Sequence, residues 1–114
     1  MVEASGKVIV NFKDVATDEG LREHLEQRCR NLAQEFPETT HYELTLSPDS
    51  KHIAAHAHVS GKNTQVASHA TSEDPRQAAD RALDKLEREL RRVHDKRIFG
   101  QRREAQKTRG KRSS

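Results

Sequence analysis

The sequence predicts an α+β fold in which a four-stranded sheet carries two helices on one face, in the order βαβββα. Three observations predict it: four segments alternate apolar and polar residues, two carry an apolar stripe at helical spacing, and turn residues separate these segments. Because each strand alternates, one sheet face should be buried under the helices and the other should face water. The 114 residues allow one domain, expected over residues 1–97, and a basic tail over residues 98–114.

The first two elements are a short strand and an amphipathic helix. Residues 7–13 alternate as a half-buried strand does. Asp18 then offers an N-cap to a helix over about residues 19–36, which Pro37 ends. We expect this helix to cross over between two parallel strands. Its apolar positions share one stripe, which consists of Leu21, Leu25, Cys29, Leu32 and Phe36.

Three further strands follow in close succession. Residues 41–46 and 52–59 alternate on either side of a turn at residues 47–50, which predicts an antiparallel pair. A second turn at residues 61–63 leads into a weaker strand at residues 65–70. The inward side chains of that strand should be Val66, Ser68 and Ala70.

The last helix has a strong start signal. Asp74 serves as N-cap, Pro75 takes the first helical position, and Gln77 stands at capping-box spacing. The helix is predicted to end near Arg97, and the tail beyond it is expected to be disordered without a partner. Its apolar stripe consists of Ala79, Ala82, Leu83, Leu86, Leu90 and Val93. Roughly opposite that stripe lies a set that we call the basic row: Arg81, Lys85, Arg88, Arg92 and Lys96.

The basic row is the clearest indication of function. Like charges four positions apart destabilise an isolated helix by about 0.2–0.5 kcal/mol per pair, so helix stability alone would favour alternating signs. The net charge of +3 is also divided: residues 1–74 carry 7 basic and 12 acidic side chains, net −5, whereas residues 75–114 carry 14 and 6, net +8. Cations concentrated on one face are typical of nucleic-acid binding. With so few aromatic residues, we expect recognition of phosphate and shape, as in structured RNA.

A membrane surface is the competing polyanionic partner. The apolar stripe lacks the Trp and Phe of an interfacial helix, and the core needs that stripe, so no membrane partner is expected. No apolar run is long enough to span a bilayer, and the N-terminus lacks the apolar stretch of a signal peptide. A cytoplasmic protein is therefore expected.

No catalytic or metal-binding motif is recognisable in the sequence. His52, His56 and His58 share one face of a predicted strand and His69 could lie opposite them, but no Asp, Glu or Cys joins them at ligand spacing. The favoured interpretation is a solvated polar face, and a contact with RNA is the alternative. Cys29 is the only cysteine in the sequence, so an internal disulfide is excluded, and its thiol is expected to be buried. We expect no enzymatic activity, no cofactor and no metal, with ion pairing as the role of Asp84, Glu87 and Glu89.

Several motifs together resemble a known family. Glu73-Asp74 form an acidic pair, Ala78-Ala79-Asp80 follow, and residues 83–90 read LDKLEREL, a Lys-Leu-acidic-Arg-x-Leu run within a helix. This series resembles the ribosome hibernation-promoting factors, also called ribosome-associated inhibitor or sigma-54 modulation proteins. A weaker match covers residues 21–25 and Arg28, and the similarity extends over about residues 7–97. The predicted order of elements is also the family's fold.

The resemblance implies a stress or stationary-phase protein that binds the small ribosomal subunit and the intact ribosome. It would occupy the decoding region between head and body, contact small-subunit ribosomal RNA and block messenger and transfer RNA binding. Translation would be inhibited and idle ribosomes preserved, with no chemistry. The residues that the resemblance implies at the ribosomal RNA are Arg22, Arg28, Lys85, Arg88 and Arg92, to which the helical geometry adds Arg81 and Lys96.

Two departures from the family pattern qualify this expectation. Pro75-Arg76 replace the hydrophobic-aromatic pair that usually follows the acidic pair. The chain also stops short of the long members, which append a second domain that pairs ribosomes, so a short form that does not pair ribosomes through its own second domain is expected. The sequence shows no obvious exposed apolar patch that would require a dimer, so a monomer off the ribosome is expected. An alternative from another class is a protein-interaction module that modulates a transcription (sigma) factor, for which the basic row would matter little.

Overall fold

The chain folds as a strand, a helix, three strands and a helix, in a computed structural model that describes the backbone of residues 7–110 and the side chains of residues 7–95. Residues 1–6 and 111–114 lie outside the described part. The predicted α+β class and βαβββα order are confirmed. The elements are β1 (Lys7–Phe12), α1 (Glu19–Glu35), β2 (Thr39–Asp49), β3 (His52–Gly61), β4 (Thr64–Ser72) and α2 (Pro75–Gly110).

The four strands form one mixed sheet in the order β1-β2-β3-β4. β1 and β2 run parallel, as the predicted crossover requires, and β2, β3 and β4 pair antiparallel. One register row crosses the whole sheet and joins Asn11, Thr45, His56 and His69. β1 and β4 are the edges of the sheet, and α2 packs against β3 and β4.

The core lies between the sheet and the two helices. Ala78, Ala79 and Ala82 of α2 are fully buried, and β3 adds Ala55 and Ala57 to the same core. These small side chains bring the helix and the sheet close together. Burying each leucine of the core stabilises the fold by roughly 1.5–3 kcal/mol. The largest fully buried side chains are Tyr42, Phe36, Leu25, Leu44, Leu46, Leu83, Leu86 and Leu90.

Both predicted N-caps are confirmed. The Asp18 carboxylate accepts a hydrogen bond from the backbone N–H of Leu21 at 3.1 Å, and the Asp74 carboxylate accepts one from the N–H of Gln77 at 3.2 Å. The Ser72 hydroxyl donates to Oε1 of Gln77 at 2.7 Å. β4 is thereby tied to the start of α2, so the helix begins at a fixed position beside the edge strand.

The structure corrects the predicted turns between the strands. β2 continues to Asp49, so the turn predicted at residues 47–50 shrinks to Ser50 and Lys51, with Ser50 at a positive φ of 61°. The next turn comprises Lys62 and Asn63, where Asn63 has a φ of 56°. Short polar residues tolerate the left-handed region of backbone conformation, which allows a chain to reverse within two residues. Both turns are therefore shorter than the four-residue and three-residue turns that the sequence composition predicted.

The predicted end of the last helix is also corrected. α2 continues to Gly110 rather than ending near Arg97. Residues 98–110 lack apolar periodicity, but they contain no proline and are rich in Arg, Gln, Lys and Ala, which favour helix on their own. Side chains from Lys96 onward lie outside the described part, so the tail predicted over residues 98–114 is described only as helical backbone as far as Gly110.

Candidate nucleic-acid interface

Helix α2 separates its side chains into three lengthwise faces. One face is apolar and buried in the core. A second face is acidic and turns towards α1, where Asp80, Asp84 and Glu87 meet Arg28. The third carries the basic row and lies beside β4, because Lys85 and Arg88 line the same depression as β4 residues. The basic row therefore follows the β4 side of the helix, and the acidic face follows its α1 side.

Two members of the basic row reach the backbone of the edge strand. Nζ of Lys85 donates to the carbonyl oxygen of His69 at 3.0 Å, and Nη1 of Arg81 is 3.5 Å from the carbonyl oxygen of Thr71. An edge strand has one row of backbone groups without a strand partner, and cationic side chains commonly protect it. Arg81 and Lys85 thus hold their charges along the rim of β4.

The other described members of the row are less engaged. Arg92 is 3.5 Å from a Glu89 carboxylate oxygen, and both side chains are largely exposed. Arg88 makes no hydrogen bond or ion pair with any residue in the part of the chain whose side chains are described. Lys96 belongs to the α2 backbone, but its side chain lies outside the described residues. Arg88 therefore offers a guanidinium whose donors are free for a ligand.

Two shallow, adjoining depressions follow the row. The larger, about 640 Å³, we call the β4–α2 groove; it is lined by Ala67, His69, Lys85, Arg88, Glu89 and Arg92. The smaller, about 420 Å³, is lined by Ala70, Thr71, Arg81, Asp84, Lys85 and Arg88. Lys85 and Arg88 belong to both linings, so the two depressions form one open channel along the helix. This shape suits an extended anionic chain better than an enclosed small molecule.

Arg28 lies at the junction of the two helices. Its guanidinium contacts Asp80 at 3.3 Å, Asp84 at 3.1 Å and Glu87 at 3.7 Å, and the side chain is 24% exposed. His24 reaches the same Asp80 carboxylate at 2.9 Å. The predicted ion-pair roles of Asp84 and Glu87 are confirmed, as is that of Glu89 with Arg92. This interhelical network was not predicted from the sequence. The sequence does place three carboxylates on one side of the last helix, which could have indicated a cationic partner there.

Arg22 lies at the opposite edge of the sheet. Its Nη1 donates to the carbonyl oxygen of Val10 at 2.7 Å, its Nε pairs with Glu19 at 3.2 Å, and its guanidinium lies over the Phe12 ring at 5.2 Å from the centroid. Arg22 thus contacts the backbone of β1 as Lys85 contacts that of β4. The structure therefore brings Arg81, Lys85, Arg88 and Arg92 together and places Arg22 and Arg28 elsewhere.

The outer face of the sheet carries histidines at its β4 side. The rings of His56 and His69 stack across β3 and β4, with centroids 5.3 Å apart and planes 13° apart. His69 also lines the β4–α2 groove. Within residues 7–95, no group of three or more His, Cys, Asp or Glu residues is arranged to hold a metal ion.

The buried titratable groups are held in their neutral forms. Burial raises the pKa of the Cys29 thiol to about 12, and burial likewise raises the pKa of the Tyr42 phenol to about 12. The predicted buried thiol is confirmed. A thiol protonated at neutral pH is a poor nucleophile, so the arrangement suits packing rather than reaction.

No helix in the described part of the chain is both long enough and apolar enough to cross a membrane.

Comparison with known proteins adds a family and a fold. A family model described as sigma 54 modulation protein / S30EA ribosomal protein matches residues 8–98. A ribosomal subunit interface protein from Coxiella burnetii shares the fold at a TM-score of 0.70 and 19% identity, covering 78% of this chain and 99% of that one. The N-terminal domain of Thermus thermophilus Protein Y matches at a TM-score of 0.65 and 21% identity, covering 75% and 94%. No curated protein matches the chain.

Proposed function

Because the chain belongs to the sigma 54 modulation protein / S30EA ribosomal protein family, we propose that it is a ribosome hibernation factor. It binds small-subunit ribosomal RNA in the decoding region, blocks messenger and transfer RNA binding, inhibits translation and preserves idle ribosomes in the cytoplasm. Its partners are the small subunit and the intact ribosome, and its mechanism is occlusion, which needs no cofactor. The name of the Coxiella burnetii protein, which shares the fold, supports a place at the ribosomal subunit interface.

The observation that carries the proposal is the row of cations along the β4–α2 groove. Each phosphate that such a cation neutralises releases a condensed counterion, so binding is strong at low salt and weakens steeply as salt rises. Consecutive members of the row stand about one helical turn apart, roughly 5–6 Å. Its described side chains line an open channel: Arg81, Lys85, Arg88 and Arg92. Within residues 7–95, the residues that line the two depressions include no Phe, Tyr or Trp, so the contacts suit the phosphate backbone of folded RNA rather than stacked single-stranded bases.

The proposed contact residues fall into two groups. Arg81, Lys85, Arg88, Arg92 and Lys96 form the primary contact on α2. Arg22 and Arg28 form a secondary contact on α1, with smaller effects, because both already hold protein partners. We assign ribosome binding to residues 1–97 and an auxiliary role to the basic residues of 98–114.

Charge reversal of the row tests the proposed surface. The variant Lys85→Glu/Arg88→Glu/Arg92→Glu should lose at least about 100-fold in affinity for small subunits, at about 1 kcal/mol or more per contact. The slope of the log-log salt dependence of binding should also become shallower by roughly two to three, at about 0.7–0.9 for each of the three phosphate contacts. Co-sedimentation of the purified protein with small subunits, large subunits and intact ribosomes at several salt concentrations measures both effects.

A matched control separates local from overall charge. The variant Lys13→Glu/Arg30→Glu/Lys51→Glu changes the net charge by the same amount at exposed positions away from the groove. If both variants lose the same affinity for small subunits, the loss is due to the change in net charge and not to the groove. Unchanged binding of the row variant would refute the assignment of this surface, and a protein complex that survives nuclease treatment would favour the sigma-factor alternative.

Occlusion needs its own measurement. Saturating protein should prevent labelled transfer RNA from binding to small subunits programmed with messenger RNA, and excess messenger and transfer RNA should displace the protein. If the protein and transfer RNA bind the same subunit together, the protein sits outside the decoding region and the proposed mechanism fails.

A further inference from the structure

The stacked histidines His56 and His69 stand where the groove meets the outer face of the sheet. Both side chains are exposed, and their rings lie nearly parallel, 13° apart, with centroids 5.3 Å apart. His69 lines the β4–α2 groove together with Lys85 and Arg88, so a chain of phosphates in that groove passes its ring. Two imidazoles are thus placed at the rim of a cationic channel.

The charges that surround the pair change little near neutral pH. The groove side of His69 faces Lys85, Arg88, Arg92 and Glu89 of α2. Lysine and arginine stay cationic and a glutamate stays anionic between about pH 6 and 7.5. Imidazole is the side chain that changes charge in this range.

The strand neighbours of the pair add two titratable groups, His58 and Glu43. Thr45 of β2 stands opposite His56 and is uncharged. His58, two positions along β3, stands opposite Glu43 of β2, whose carboxylate contacts Asn11 and His41. His69 therefore lies in the groove lining, and His56 stacks on it from the neighbouring strand.

We propose that the pair of His56 and His69 extends the polyanion-binding surface from α2 onto the sheet and binds RNA phosphate in a protonated form, so that RNA binding takes up a proton. The inference rests on the proposed function, because it assumes that the groove receives an RNA backbone. It adds a pH dependence that the lysines and arginines of the basic row cannot supply.

The stacked geometry limits the uptake to about one proton. Two imidazolium rings at this separation repel each other, so protonation of one ring opposes protonation of the other. A phosphate oxygen beside the pair favours the charged ring, both by its charge and as a hydrogen-bond acceptor. Affinity should therefore rise as pH falls, by no more than about tenfold per pH unit.

The size of the effect can be set in advance. If a neighbouring phosphate favours the protonated form of one ring about tenfold, affinity should increase by a few-fold, and by less than about tenfold, between pH 7.5 and pH 6.0. We expect this increase for the wild type at constant ionic strength. We expect it to disappear in His56→Gln/His69→Gln, which keeps a polar side chain at both positions and removes the titration.

The control variant is His41→Gln/His52→Gln. It removes the same number of imidazoles from exposed or half-buried strand positions that do not line the groove. Binding is measured at pH 6.0, 6.5, 7.0 and 7.5 with two probes, purified small subunits and a labelled mixed-sequence RNA hairpin. Circular dichroism at each pH verifies that the variants remain folded.

The two probes separate failure of the inference from failure of the proposed function. If small subunits bind equally well across this pH range, or if the control variant loses the pH dependence as fully as His56→Gln/His69→Gln does, the inference is overturned and the function stands. If no small-subunit binding occurs at any pH while the hairpin shows the expected dependence on the pair, the proposed function fails and the polyanion contact stands. If neither probe binds, both are refuted.

Discussion

Arg28 should matter more for stability than any exposed arginine of the same helix. Its guanidinium lies within 3.3, 3.1 and 3.7 Å of Asp80, Asp84 and Glu87, and its side chain is 24% exposed. Exposed ion pairs contribute about 0.2–1 kcal/mol each, and three pairs that share one guanidinium do not add fully. Arg28→Met keeps the aliphatic stem and removes the three pairs. Asp80 keeps His24 and Glu87 keeps Arg91 as a partner, but Asp84 loses its described partner and repulsion among the carboxylates at helical spacing increases. We expect the free energy of unfolding to fall by about 1–2 kcal/mol, which lowers Tm by roughly 4–8 °C.

Urea unfolding followed by far-ultraviolet circular dichroism measures the change. Arg30→Met is the control on the same helix, because Arg30 is 55% exposed and has a single pair with Glu26 at 3.6 Å. Arg88→Met is the control on α2, where no described partner is lost. The free energy of unfolding of both controls should stay within about 0.5 kcal/mol of the wild-type value. The difference in unfolding free energy between Arg28→Met and the controls should decrease in 1 M salt, which screens charges. If Arg28→Met and Arg30→Met unfold at the same urea concentration, the interhelical network does not stabilise the fold and the reasoning is wrong.

Two further predictions concern stability. Asp74→Ala removes the cap on the N–H of Gln77 and should destabilise the protein by about 1 kcal/mol in urea unfolding, whereas Asp49→Ala at an exposed strand end should not. Burial raises the pKa values of Cys29 and Tyr42 to about 12 from ordinary values of 9.0 and 10.0, so both groups favour the folded state below pH 9. Their contribution should decrease as pH rises from 9 to 12, because unfolding allows them to ionise. Cys29→Ala should make this alkaline decrease shallower, and an unchanged pH profile would contradict the burial argument.

The fold was predictable because its local signals agree with one another. Asp18 and Asp74 are strong N-caps, and alternating strands define a sheet with one buried face. The errors fall where local composition and backbone geometry differ. Ser50 and Asn63 close two-residue turns at positive φ, which polar composition signals only as turns of unspecified length. The predicted end of α2 was wrong because it was placed where apolar periodicity stops. The residues beyond that point favour helix by propensity, and the helical backbone continues to Gly110.

The candidate site was only partly predictable for a different reason. Helical spacing places Arg81, Lys85, Arg88 and Arg92 in one row, and the structure confirms that they lie together. Helical spacing does not predict whether α1 or β4 packs beside that row, because the rotation of α2 about its axis in the folded protein decides this. The stacking of His56 on His69 likewise requires strand register, which the hairpin turns set.

The two charged faces of α2 differ in what a bound phosphate would disturb. When a phosphate takes the ammonium of Lys85 or the guanidinium of Arg81, the edge carbonyls that they leave are free to bond with water, so little is lost. Arg28 is different, because a phosphate that took its guanidinium would leave Asp84 without its described partner, would remove one partner each from Asp80 and Glu87, and would itself add negative charge beside them. The acidic face therefore repels a polyanion while it holds the helices together. The basic face attracts a polyanion, and binding there removes few contacts that stabilise the fold. This difference explains why charge reversal on the basic face should abolish binding in a protein that remains folded, while loss of Arg28 should act first on stability.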